Sequence, residues 1–317
     1  MLSIIIPIFN EEENIIPLCK KLLSELETLG LNFEIIFIND GSSDETEKIL
    51  ENQSKLDNRL KIINFRKNLG QTAALMAGFD YATGEIIIPM DGDLQNDPKD
   101  IKMILEKLNT GYDVVSGWRK DRKDNSIKRV IPSKIANFLI SKISGVYLHD
   151  YGCSLKAYRK DVLKGVKLYG EMHRFIPIYA SWEGAKVTEI PVTHHPRIHG
   201  KSKYGFNRII KVILDLIVVK FLSNYRTKPI YVFGGFGMIS IIFSFLVGLW
   251  AIWLKILKNI DFISTPLPLL VVMSFITGVM SILMGLLAEI SMRTYYETQN
   301  KPTYIIKNTL NILNDKY

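Results

Sequence analysis

Two stretches of the 317-residue chain, 231–254 and 267–288, hold no charged side chain. Each exceeds the ~20 residues that a helix needs to cross a ~30 Å hydrocarbon layer. A helix apolar on every side offers water no surface, so both stretches predict transmembrane helices. Two crossings return the chain to the side it left. Lys211, Lys220, Arg226 and Lys228 precede the first stretch and Arg293, Lys301 and Lys307 follow the second, with Lys255 and Lys258 between them. The positive-inside bias then predicts an inner (plasma) membrane protein with both termini in the cytoplasm. The expected organisation is a globular domain over 1–206, an amphipathic juxtamembrane helix over 207–228, a two-helix transmembrane domain over 229–290 and a cytoplasmic tail over 291–317.

The net charge is +8. Much of the positive charge flanks the apolar stretches, which suits anionic lipid headgroups or a phosphorylated substrate, and no nucleic-acid partner is expected. The opening "MLSIIIPIF" lacks a basic region and a small-residue cleavage site, so it reads as a strand and not as a secretory signal. Cys19 and Cys153 are the only cysteines. They suggest neither a disulfide framework nor a zinc cluster.

Within 1–206, short apolar runs alternate with helical patterns. "SIIIPIF", "FEIIFIND", "KIINF", "EIIIPM" and "YDVVSGW" read as strands, with helices between them over 11–29, from Ser42 or Ser43 as N-cap, over 71–81, and after Pro98. This order predicts an α/β fold with a mostly parallel, Rossmann-like sheet covered by helices on both faces. Ligands of such sheets sit beyond the carboxyl ends of the strands. Pro7, Phe9, Asn10 and Glu11, Asn39 and Asp40, Arg66 and Asn68, and Asp91, Asp93 and Gln95 occupy those ends. "PIFNEEEN" contains no glycine, so a dinucleotide fingerprint is absent after the first strand.

"GEIIIPMDGDLQNDP" ends its strand on two aspartates separated by one glycine. Adjacent carboxylates repel unless a cation joins them. Mg2+ or Mn2+ takes one or two carboxylates and completes its shell with phosphate oxygens. If the segment stays extended, Gln95 falls on the same side as Asp91 and Asp93 and supplies a third oxygen.

"SIIIPIFNEEENI", "FINDGSSDET", "NLGQTAALMAGFDYATGEIIIPMDGDLQNDP", "DYGCSLKAYRKDV", "HRFIP" and "HPRIHGKSKYG" together resemble glycosyltransferase family 2, in the branch that charges polyprenyl phosphates. The resemblance implies a GT-A-type fold and a nucleotide pocket from Pro7, Phe9, Glu11, Asp40 and Asp91. It implies metal and diphosphate binding by Asp91, Asp93 and Gln95. Arg119, Arg129 and Ser133 match positions that hold the lipid phosphate, and Arg197 and Lys203 fall in a loop closing on the donor diphosphate. Asp93, Asp150 and Arg119 are the expected catalytic groups. Asp150 is expected near the reacting sugar, holding a hydroxyl, orienting the acceptor, or serving as a turn residue. The resemblance also implies a homo-oligomer.

A phosphate acceptor, already ionised because its second pKa lies near 6, needs no general base. The leaving diphosphate needs positive charge, from a cation and from arginines that bind phosphate oxygens in pairs. The expected reaction is inverting, metal-dependent transfer of a hexose, with UDP-glucose as donor, to undecaprenyl phosphate. Mannose from GDP-mannose or a 4-amino-arabinose derivative is the alternative sugar, and a nucleotide-sugar sensor or flippase scaffold the alternative class. Residues 207–225 are amphipathic and predict a helix at the membrane interface rather than one packed on the sheet, while 133–148 repeat the pattern and read equally as an interfacial helix or a helix packed on the sheet.

Overall fold

The computed structural model describes residues 1–120, 137–138, 140–142, 144–164, 166, 168, 172–196, 230–298 and 304–312. It divides into two compact units, Met1–Val219 with Pro302–Tyr317, and Lys220–Lys301.

The first unit is built on an eight-stranded sheet of order β7-β5-β6-β4-β1-β2-β3-β8. Its strands are β1 (Leu2–Ile8), β2 (Phe33–Asn39), β3 (Leu60–Phe65), β4 (Ile86–Pro89), β5 (Val114–Trp118), β6 (Lys156–Arg159), β7 (Val187–Pro191) and β8 (Ile306–Leu310). The neighbours β4, β1, β2 and β3 run parallel, as does the pair β5 and β7. β6 and β8 run antiparallel to the strands beside them. The expected mostly parallel α/β sheet is therefore present.

Alternation along β1 explains the two layers. Leu2, Ile4, Ile6 and Ile8 face α1 (Glu12–Thr28), α2 (Thr46–Leu56) and α4 (Asp100–Leu108), through Ile15, Leu18, Leu22, Leu50, Ile101 and Ile104. Ile5 turns to the other face and packs with Ile36, Ile38 and the small-residue run of α3 (Gln71–Tyr81). A Cβ on Gly78 would lie 2.3 Å from Ile5 Cγ2, so this glycine lets α3 press onto the sheet. Each fully buried isoleucine contributes at most about 1.5–3 kcal/mol.

β8 was not foreseen. Residues 291–317 read as a tail, yet Ile306–Leu310 pairs with β3 in the register Ile63↔Thr309 and Asn64↔Asn308. An unpaired β3 would present a bare edge of amides and carbonyls, and β8 satisfies it. Tyr304 stacks on Phe65 with ring centroids 5.7 Å apart, and its hydroxyl donates to Asp80 at 2.8 Å. Asn311 donates its side-chain amide to the carbonyls of Ser54 and Leu60, at 2.7 and 2.9 Å.

The second unit contains the helices Ile230–Lys258 and Leu267–Thr298. Gly237 meets Gly278 and Ser244 meets Val271, so numbers rise on one helix as they fall on the other: the helices form an antiparallel hairpin. Both are long and apolar enough to cross a membrane. Their outward side chains are large and apolar, Ile239 and Leu269 being 68% and 66% exposed, as lipid-facing positions require. The expected juxtamembrane helix over 207–228 lies outside the described residues. Of 133–148, Ile140 and Ser141 are buried, with Ile140 packed beside Phe175 and Ile178, while Phe138 and Tyr147 are exposed.

Candidate active site

The carboxyl ends of β1, β2 and β3 are tied together before any ligand is considered. Asn10 takes a left-handed φ of 50°. Its N–H donates to Ser42 Oγ at 2.9 Å, and its Oδ1 accepts from the Ser43 N–H at 2.8 Å. The serines expected to cap α2 are used here instead. The helix begins later, at Thr46, whose N–H donates to Asp44 Oδ1 at 3.1 Å. The Glu11 N–H donates to Thr46 Oγ1 at 3.1 Å, and Glu11 Oε2 accepts from Asn14 Nδ2 at 2.6 Å. Pro7 lies next to the end of β1, opposite Ile38, and Phe9 is half-buried just beyond the strand.

Asp40 is buried, and its two oxygens accept from the N–H groups of Leu69 and Gly70 at 2.7 and 2.9 Å. Burial raises its pKa, the two bonds lower it, and the net shift is upward. Asp40 thus fixes the loop after β3. Gly41 makes the same approach possible: φ is +67°, and a Cβ would lie 2.5 Å from the Lys67 backbone carbon.

Beyond β4, Asp91 Oδ1 accepts from Gln71 Nε2 at 2.9 Å, which the sequence did not suggest. Gly92 crosses close over the end of β1, where a Cβ would meet Ile8 Cδ1 at 2.2 Å. The segment does not stay extended. Leu94 is left-handed, φ 62°, and buries its side chain in the core, so simple alternation cannot place Gln95 beside Asp91 and Asp93. Such a residue costs about 1–2 kcal/mol, which its burial offsets.

Gln95 is also joined to the stretch after β7. The His195 N–H donates to Gln95 O at 2.8 Å, Gln95 Nε2 donates to His195 O at 3.3 Å, and Asn96 bridges His194. His195 Nε2 lies 2.9 Å from Asp97 Oδ2, and the Thr193 N–H donates to Asp100 Oδ2 at 2.6 Å. Burial opposes ionisation of Asp97, but the His195 bond prevails and holds its pKa low. The chain that leads towards Arg197 and Lys203 is thereby stitched to the aspartate motif. Arg197, Lys203, Arg129 and Ser133 themselves lie outside the described residues.

Asp91 and Asp93 suit a divalent cation chemically. Among the described residues no group of three or more His, Cys, Asp or Glu side chains stands ready for a metal. A pair of carboxylates is what Mg2+ or Mn2+ uses when substrate phosphates supply the remaining oxygens.

On the other flank, Arg119 follows β5 and Asp150 precedes β6. Arg119 Nε and Nη2 donate to the two oxygens of Asp150 at 2.7 and 3.0 Å, with side chains only 13% and 7% exposed. Burial works against the guanidinium charge, but Asp150 and the field of Asp91 outweigh it and raise its pKa. The Gly152 N–H also donates to Asp150 Oδ1, at 3.0 Å. Asp150 thereby orients Arg119.

Lys156 is fully buried behind this turn and donates to the carbonyls of Tyr151 and Cys153; burial pushes its pKa down to about 8. Trp118 stacks on His149 at 4.3 Å, and the His149 N–H donates to Glu189 Oε2 at 2.8 Å. Neither Lys156 nor Glu189 stood out in the sequence, because each lies within an ordinary short strand.

The family model for glycosyl transferase family 2 matches residues 3–166. Dodecaprenyl-phosphate galacturonate synthase of Rhizobium johnstonii is 43% identical over 96% of this chain and 92% of its own length. Undecaprenyl-phosphate 4-deoxy-4-formamido-L-arabinose transferase of Edwardsiella ictaluri is 34% identical over 97% of this chain and 94% of its own. Among solved structures, glucosyl-3-phosphoglycerate synthase from Mycobacterium tuberculosis with Mn2+, UDP-glucose and phosphoglyceric acid shares the fold. Its TM-score is 0.53 at 16% identity, covering 70% of this chain and 79% of that one.

Proposed function

Since the chain belongs to glycosyl transferase family 2 and is a glycosyltransferase, we propose that it moves a sugar from a nucleoside diphosphate to polyprenyl phosphate at the cytoplasmic face of the inner membrane. Pro7, Phe9, Glu11 and the loops fixed by Asp40 form the nucleotide side. Asp91 and Asp93, with the amide of Gln95, hold the divalent cation. When bound there, such a cation would supply positive charge to the leaving diphosphate. Arg119, joined by Arg129 and Ser133, holds the acceptor phosphate, and Arg197 and Lys203 close on the donor.

The observation that carries this reading is the Arg119–Asp150 pair. A guanidinium held in one orientation suits phosphate oxygens, which arginine binds through its paired N–H donors. The carboxylate holding it is committed to that task and to Gly152, so it is poorly placed to take a proton. A phosphate acceptor needs no such base: its oxygen attacks the anomeric carbon, the bond to the diphosphate breaks with the electron pair leaving on oxygen, and the configuration inverts.

The hairpin and the relatives' lipid acceptors support the membrane site. β8 supports the topology, because residues on both sides of the hairpin share one sheet and so one compartment. Glucose on UDP was the expected donor group, while the relatives are named for galacturonate and formamido-arabinose. The test is incubation of membranes carrying the protein with undecaprenyl phosphate, Mg2+ or Mn2+, and labelled nucleotide sugars of all three kinds and mannose. Label must enter lipid with one donor and disappear with chelator. Nucleotide binding without lipid labelling by any donor would replace this reading with that of a sensor or scaffold.

A further inference from the structure

Three asparagines lie in register across β2, β3 and β8: Asn39 opposite Asn64, and Asn64 opposite Asn308. Asn39 Nδ2 donates to Asn64 Oδ1 at 2.9 Å, and Asn64 Nδ2 donates to Asn308 Oδ1 at 2.8 Å. Asn39 and Asn64 are buried, while Asn308 is exposed. At the other end, Asn39 Oδ1 accepts from the Ser42 N–H at 3.0 Å, and Ser42 Oγ in turn accepts from the Asn10 N–H. A continuous line of hydrogen bonds thus joins the strand that follows the membrane hairpin to the left-handed turn at Asn10, between Phe9 and Glu11.

Buried amides of this kind hold one orientation only while each partner is present. Removing the last acceptor leaves Asn64 with an unmatched donor, and its rotation to recover a bond releases Asn39 and then Ser42. We infer that Asn308, on β8, is a positioning residue for the nucleotide-binding edge, acting through Asn64 and Asn39 on the Ser42–Asn10 turn. The inference rests on the proposed nucleotide pocket. It gives the segment beyond the hairpin a part in donor binding, which the role of tail would not.

The direction of the ladder makes it testable. Asn64 requires of Asn308 an acceptor, which aspartate supplies and leucine does not; Asn64 must itself donate, which aspartate cannot do. Full-length protein in nanodiscs is titrated calorimetrically with UDP and with GDP in the presence of Mn2+, and KM is measured for donor and for undecaprenyl phosphate. Asn308→Leu and Asn64→Asp are expected to weaken nucleotide binding and raise donor KM about tenfold. The acceptor KM should stay within about twofold, and Asn308→Asp should behave as wild type within about twofold.

Unchanged nucleotide affinity in Asn308→Leu overturns the inference alone, as does equal loss in Asn308→Asp and Asn308→Leu, or parallel loss of donor and acceptor affinity. Failure of the wild type to bind either nucleotide overturns the pocket and the inference with it. Asn308 is exposed, so its variants are expected to fold, and melting temperatures check that they do.

Discussion

Arg119 and Asp150 meet through two parallel hydrogen bonds, 2.7 and 3.0 Å long, in a part of the site largely closed to water. Breaking a buried pair by removing one member costs about 3–5 kcal/mol, because the remaining charge keeps its desolvation penalty without compensation. Asp150→Ala should therefore both destabilise the protein and raise the KM for polyprenyl phosphate, while Asp150→Asn, which keeps one acceptor, should be milder in both. Arg119→Lys loses the planar fork and should lower turnover at limiting acceptor roughly a hundredfold with donor affinity retained. Initial rates against acceptor concentration check this. An acceptor KM unchanged in Asp150→Ala would remove Arg119 from the phosphate clamp.

Asp91→Asn and Asp93→Asn each leave the strand-end backbone intact but halve the charge available to a cation. Lipid labelling should fall at least about a hundredfold in either variant, and added Mn2+ should recover part of it in the weaker one. Gln95→Leu should cost less, since a neutral amide contributes less than a carboxylate and part of its bonding serves His195. Calorimetric titration with Mn2+ in the presence of UDP separates the effects. Metal-independent UDP binding of equal strength in wild type and Asp93→Asn would contradict the assignment.

The parallel strands were legible because a strand buried on both faces is written as an unbroken apolar run, as in "SIIIPI" and "FEIIFIN". β8 was not, because "IKNTL" is short, half polar and paired with a strand more than 200 residues earlier, as the Asn64–Asn308 bond records. The aspartate pair was visible as a motif, but not Gln71 beside it or the His195 stitch, which depend on contacts between distant segments. Leu94 breaks the extended geometry assumed for Gln95: leucine rarely adopts positive φ, and nothing local announces that it does so here. Asp150 was found by position, while its service to Arg119 emerges only from the fold.

Glu34 gives the sheet a pH limit far from the chemistry, at the amino ends of β1, β2 and β3. Ser3 and Lys61 both donate to its carboxylate, and Thr83 donates through its N–H at 2.7 Å and its hydroxyl at 2.9 Å. Burial raises its pKa, but these bonds prevail and hold it below the ordinary 4.5. A carboxyl depressed in the folded state contributes stability above its unfolded pKa and loses it as pH falls through the folded one. Glu34→Gln should lower stability at pH 7 by about 1–3 kcal/mol. The gap to wild type should close below pH 4.5 as the native carboxyl protonates. Melting curves across that range measure it, and a gap independent of pH would show that shape and not charge matters at this position.

Among the described residues, the apolar helical hairpin comes closest where Gly237 meets Gly278. A Cβ on Gly237 would fall 2.6 Å from the Gly278 carbonyl oxygen, and one on Gly278 would fall 2.8 Å from that of Gly237. Backbone cannot move aside as a side-chain tip can, so either substitution must part the helices there. Ser244, whose hydroxyl donates to Val271 O at 2.8 Å, would be drawn away as well. Gly248 lies on the same helix with its nearest obstacle, Val271, 3.9 Å away, so a methyl group fits. Gly237→Val and Gly278→Val should therefore lower the melting temperature in detergent, whereas Gly248→Ala should leave it unchanged or raise it by removing a flexible residue from a helix. The contrast distinguishes packing from helix propensity, which would favour all three replacements over glycine. Equal stability of Gly237→Val and Gly248→Ala would show that the glycine crossing does not hold the two helices together.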